Sequence, residues 1–201
     1  MRRFLSMIGI VVFGFLLSGC GGGGGNNSRS IYILATWTTT DNVDLDLYVT
    51  RRDISGSNMD LNDTAYYNNT STSWGAVHSG DDKIDQNGTH LFEDVTIGNS
   101  KTNDEPYVAI IHNNSSINKS FNMGVFYDDH INPDYAQTYT INAHSTADII
   151  LVRHNGVTEL VAVHVQPLPS VKKPNSSVDN RSKPVPANKQ MRLDALNLKK
   201  Y

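Results

Sequence analysis

The chain is short of cysteine, of charge and of long apolar runs, and each shortage removes a class of explanation. One cysteine, Cys20, stands among 201 residues. That excludes an intramolecular disulfide, a Cys-x-x-Cys redox pair and a cysteine-rich zinc site. Charged residues are 18% of the chain, so it is polar without being highly charged. The most apolar stretch, Phe4 to Leu17, is shorter than the roughly 20 residues an ordinary spanning helix needs. There is no Gly-x-Ser-x-Gly elbow, no His-Glu-x-x-His and no His-x-His pair among His78, His90, His112, His130, His144, His154 and His164. The length allows one domain plus tails and excludes a large multidomain enzyme. What is abundant is Asn (21), Ser (18) and Thr (15), which suit turns and exposed strand faces better than long helices.

The first residues read as an address. Met1-Arg2-Arg3 is a short basic start, Phe4 to Leu17 an apolar core, and Leu17-Ser18-Gly19-Cys20 follows. A basic region, a short apolar core and small residues at the cut describe a secretory signal peptide over residues 1–19. Leu-Ser-Gly-Cys resembles the bacterial lipobox. That resemblance implies cleavage before Cys20 and acylation of its thiol and amine, palmitate included, giving a membrane attachment through the N-terminal lipid. Residues 20–30, with Gly21 to Gly25, read as a flexible tether. Gly21 is not the aspartate that the same resemblance associates with inner-membrane retention, so a cell outer membrane facing the periplasm is the expected location in a two-membrane cell.

Body and tail carry opposite charge. Residues 31–166 hold 18 acidic and 6 basic residues, a net of −12. Residues 167–201 hold 8 basic and 2 acidic residues, a net of +6, together with Pro167, Pro169, Pro174, Pro184 and Pro186. With few aromatic or branched residues to bury, this tail reads as disordered. Met191 to Leu198 has the makings of one or two amphipathic turns, and the tail could fold back on the acidic body or meet an anionic surface. Nucleic acid is not an expected partner of an exported, tethered protein.

Within the body, Ile31 to Thr38 is rich in branched and aromatic residues and reads as a strand. Val43-Asp44-Leu45-Asp46-Leu47-Tyr48-Val49 alternates strictly, which predicts a half-buried strand with Asp44, Asp46 and Tyr48 facing outward. Ala65 to Tyr67, Trp74 to Val77 and Thr89 to Ile97 are further candidates. Pro106 to His112 is apolar throughout, as a central strand would be. Phe121 to Tyr127 and Gln137 to Ala143 follow. Ala147 to His154 and Val157 to Val165 flank Asn155-Gly156, a two-residue hairpin turn. That turn pairs His154 with Val157, Val152 with Glu159 and Ile150 with Val161. Eight to ten short strands with no convincing helix predict an all-β fold, a single jelly-roll-like β-sandwich with disordered tails.

Ala35-Thr36-Trp37 followed by Val43 to Val49 resembles the start of the YfaP-like bacterial domain of unknown function, similar to the jelly-roll domains appended to secreted peptidases. Gly88 to Ile97 and Tyr107 to Asn113 resemble that family's later strands. Thr50-Arg51-Arg52-Asp53 stands where the family has a tight turn. The likeness spans residues 33–127 and implies a sandwich, with no activity attached.

The chemistry-bearing pattern is acidic. Asp41, Asp44 and Asp46 lie close in sequence, and Asp81, Asp82, Asp85 and Asn87 precede Gly88 in a second polar loop. Calcium takes six to eight oxygen ligands, so the two loops would make a site if the fold joined them; otherwise they are a polar outer face and an Asp-rich turn. Neighbouring carboxylates on one strand face lack the opposed wall a glycosidase needs. Tyr66, Tyr67 and Trp74 read either as a stacking surface for a glycan or protein, or as core. The expectation is a non-catalytic, lipid-anchored envelope protein with an unidentified protein partner. A calcium-dependent or glycan-binding adhesive module is the alternative. No cofactor other than calcium is implied.

Overall fold

The alternation read from the sequence becomes two antiparallel sheets in the computed structural model, which describes residues 30–41, 43–51, 60–81, 83–98, 106–154, 157–167 and 184–198. The strands are β1 (Ile31–Thr38), β2 (Leu45–Thr50), β3 (Thr64–Ala65), β4 (Ala76–His78), β5 (Lys83–Ile84), β6 (His90–Ile97), β7 (Pro106–Asn113), β8 (Lys119–Tyr127), β9 (Tyr135–Ile141), β10 (Ser145–His154) and β11 (Val157–Pro167), followed by one helix, α1 (Ala187–Leu198). One sheet has the order β4-β6-β1-β8-β9 with β5 also on β6; the other runs β11-β10-β7-β2-β3. The fold is an all-β sandwich. Eleven strands are described where eight to ten were expected; β5, two residues long in a loop read as polar, is too short to leave a periodic signal.

Period-two alternation fills the space between the sheets. Ile31, Ile33, Ala35 and Trp37 of β1 meet Leu45, Leu47 and Val49 of β2 and Tyr107, Ala109 and Ile111 of β7 in one buried cluster. Trp37 closes the first turn as well, its indole Nε1 donating to the Val43 carbonyl at 3.0 Å. The apolar run of β7 has its predicted place, between β10 and β2.

The pairing of β10 with β11 follows the expected register and then departs from it; Asn155 and Gly156 themselves lie outside the described residues. His154 pairs with Val157 and Val152 with Glu159, as a two-residue loop requires, but Ile150 pairs with Ala162 and not Val161. The register shifts between Ile150 and Leu151. An extra residue on one strand is a β-bulge, and it leaves an unbroken apolar run looking unchanged.

Two further corrections concern the outer faces. β2 is buried along its whole length, with Asp46 0% and Tyr48 7% exposed, so it is not half-buried. Tyr66 and Tyr67 fold over Tyr48, Val108 and Ile110 and cover this face of the five-stranded sheet. Residues 184–198 are likewise not disordered. Val185, Leu193 and Leu196 pack on Tyr32, Leu34, Phe92 and Phe126, the outer face of the six-stranded sheet. Pro186 precedes the helix, where its missing N–H costs nothing, and its carbonyl accepts from Gln190 N at 3.0 Å. Leu193 and Leu196, three apart, give the segment a short apolar stripe, and the sheet supplies the surface that an isolated 12-residue helix lacks.

Candidate functional site

The acidic residues divide into those that converge and those that do not. Asp44 lies just before β2, Asp46 on it, and Asp81 follows β4. One carboxylate oxygen from each lies within 4.8 Å of the other two. Strand alternation puts Asp44 and Asp46 on the same face. Asp81 arrives from the other sheet because β4 pairs with β6, Val77 opposite Thr96 and His78 opposite Val95.

Asp85 does not join them. Its carboxylate turns back on its own loop and accepts from Thr89 N at 2.8 Å, His90 N at 3.1 Å and Thr89 Oγ1 at 3.1 Å. Burial would raise its pKa, yet these hydrogen bonds outweigh it and hold the carboxyl below its ordinary value. Asn87 is exposed at the tip of that loop. The Asp41 side chain and Asp82 lie outside the described residues.

The corner is enclosed by polar groups that sequence reading had not singled out. Asn114 Nδ2 donates to Asp46 Oδ2 at 2.5 Å. His112 pairs with Asp46 in register, and its ring lies 4.4 Å from that of Tyr48. Nearby, Glu93 crosses from β6 to the five-stranded sheet, where its Oε2 accepts from Leu47 N at 2.6 Å. That satisfies a strand N–H beyond the end of the short β3. His78 is 2% exposed; its Nδ1 accepts from Gly80 N at 3.0 Å, and its Nε2 lies 3.4 Å from Glu93 Oε2. Burial pushes the His78 pKa down to about 4, against the raising effect of Asp94, Asp81 and Asp46, with Lys83 adding to the lowering. Burial alone pushes His112 down to about 4. Both rings are therefore neutral at neutral pH.

Three carboxylates this close repel one another, and a hard divalent cation relieves that repulsion. Calcium–oxygen distances of about 2.4 Å put ligands on opposite sides of the ion about 5 Å apart, so three oxygens within 4.8 Å of one another are close enough to share one ion. Asp44, Asp46 and Asp81 would each offer one converging oxygen, and water or carbonyls the remainder.

The aromatic candidates separate. Tyr66 stacks on Tyr48 with centroids 5.1 Å apart and planes at 14°, and Tyr67 meets both edge-on. Trp74 sits in the core between the sheets, 6.1 Å from Tyr107, with its Nε1 donating to the Asp63 carbonyl at 2.9 Å. The three do not form one stacking platform: Tyr66 and Tyr67 cover an outer face, and Trp74 fills the core.

The other acidic residue of consequence is Asp94, 1% exposed, under α1. It accepts from Ser79 Oγ at 2.5 Å and Lys189 Nζ at 2.6 Å. No protein-family model matches this chain, and no curated protein matches it.

Proposed function

We propose that this chain is an exported bacterial envelope lipoprotein whose sandwich acts by binding and not by catalysis. The observation that carries the reading is the sole cysteine placed in Leu17-Ser18-Gly19-Cys20, behind a basic and apolar start. The glycine run after it and a folded body beginning at Ile31 support a tethered arrangement. Cys20 then carries the lipid, and Gly21 favours the outer membrane in a two-membrane cell. The partner in this reading is another envelope protein or a glycan.

The test is metabolic labelling with an alkyne fatty acid in a bacterial host. The wild-type chain should take the label and pellet with membranes, and Cys20→Ser should lose both properties. A wild-type chain that stays unlabelled and soluble overturns the reading.

The convergence of Asp44, Asp46 and Asp81 favours a second element, a calcium-dependent binding module. A ligand at 100 times its Kd stabilises the state it binds by about 2.7 kcal/mol, which raises Tm by about 5 °C or more in a domain of this size. Millimolar calcium against chelator should give that shift in the full chain, and Asp46→Asn should remove it. An unchanged wild-type Tm rules calcium out.

A further inference from the structure

The outer face of the six-stranded sheet is built to hold a particular kind of helix. Tyr32, Leu34, Phe92 and Phe126 form its apolar floor. Gly124 makes a notch in that floor: a Cβ there would lie 2.9 Å from Phe126 and 3.1 Å from the Leu196 methyl that fills the space. A strand glycine often marks such a close approach.

The face also selects for charge. The Lys189 ammonium meets the buried Asp94 carboxylate at 2.6 Å and lies 5.6 Å from the centre of the Tyr32 ring. The Arg192 guanidinium lies over Tyr32 at 4.6 Å and Phe126 at 5.4 Å, and it donates to the Asp128 and His130 carbonyls at 2.7 and 2.8 Å. Aromatic faces, an anionic side chain and backbone carbonyls all favour cations. The floor therefore reads Lys189, Arg192, Leu193 and Leu196, two cations followed by two leucines on one helical stripe.

The occupant has a weakness that its seat lacks. Twelve residues are too few for a helix to persist alone, so α1 folds only while docked. Its floor is part of β1, β6 and β8 and stands on the sandwich core. α1 belongs to neither sheet, so its release need not disturb a strand ladder.

We propose that this face is a recognition groove for amphipathic basic helices, and that α1 is its built-in competitor. The external ligand is a helical segment of another protein carrying the Lys-x-x-Arg-Leu-x-x-Leu pattern. While α1 is docked the groove is closed, and it opens when the helix unfolds from it.

The test uses the full chain and a fluorescent peptide of residues 184–198, read by anisotropy. The wild-type chain should bind the peptide weakly, because α1 belongs to the same chain and competes for the groove at high effective concentration. Leu193→Asp with Leu196→Asp weakens α1 and leaves the groove intact. It should tighten peptide binding by about ten-fold or more. Lys189→Ala with Arg192→Ala is the milder variant, should the first fail to fold, and should also tighten binding. Adding Asp94→Asn to either should reverse the gain, and a peptide with both leucines changed to Asp should not bind. Peptide affinity within two-fold of wild type in the folded variants overturns the proposal. So does equally tight binding of the aspartate peptide.

Discussion

The two outer faces of the sandwich are both covered, but by different means. On the five-stranded sheet the cover is local: Tyr66 and Tyr67 follow directly from β3, which is itself paired to β2. On the six-stranded sheet the cover is remote, a helix from the end of the chain with a cationic as well as an apolar contact. A cover continuous with the sheet cannot leave without breaking the sheet. A cover joined by a linker can. Cost of damage should therefore differ: substitutions in the local cover lower the stability of the whole body, whereas those in α1 can cost no more than its docking.

The largest test of this contrast is Tyr66→Ala. Removing a buried, stacked aromatic costs about 3–5 kcal/mol, and the whole loss should appear in global urea unfolding. Leu193→Ala, at a fully buried site in α1, should shift the global midpoint far less while loosening the helix. Equal shifts for the two would erase the distinction between the covers.

Acid should act next, through two buried histidines beside the acidic corner. His78 and His112 have folded pKa values of about 4 against an ordinary 6.5. The unfolded chain takes up these protons first, so stability is full above about pH 6.5 and falls as pH drops towards 4. The loss is on the order of a few kcal/mol in total. Substituting His112 with Gln should flatten that pH dependence. An unchanged slope between pH 6.5 and 4 would mean that His112 is not the group responsible.

Gly124→Ala is the smallest change and the most selective. Its methyl meets Phe126 and Leu196, and overpacking of this kind costs about 1–3 kcal/mol. The cost should appear as loss of helical circular dichroism with the sheet signal retained. Joint loss of both would show that the helix and the sheet are one unit.

The same contrast explains what was legible in the sequence. Strand positions were, because burial on one face imposes period two: Val43, Leu45, Leu47 and Val49 all enter the core. The register expected from Asn-Gly holds for His154 with Val157 but not beyond the bulge at Ile150. Asp44 and Asp46 shared a face by the same period. Asp81 joined them through the pairing of β4, which no local pattern announces, while Asp85 was held away by hydrogen bonds within its own loop. The helix was legible only as one or two amphipathic turns over Met191 to Leu198, in a tail otherwise read as disordered, for a comparable reason. Pro184 and Pro186 look like breakers, Leu193 and Leu196 are a thin stripe, and the surface that makes them a helix lies on β1, β6 and β8. Gly124, a small residue amid large apolar ones in β8, was the one local sign that something approaches there.

Native-state hydrogen exchange of the full chain, resolved to α1 and to β1 beneath it, tests the separable cover most directly. The account predicts that the amides of Gln190 to Leu198 exchange together, by a local opening, well before those of Ile33 to Trp37. Equal protection of the helix and the strand, with both exchanging only on global unfolding, would contradict it.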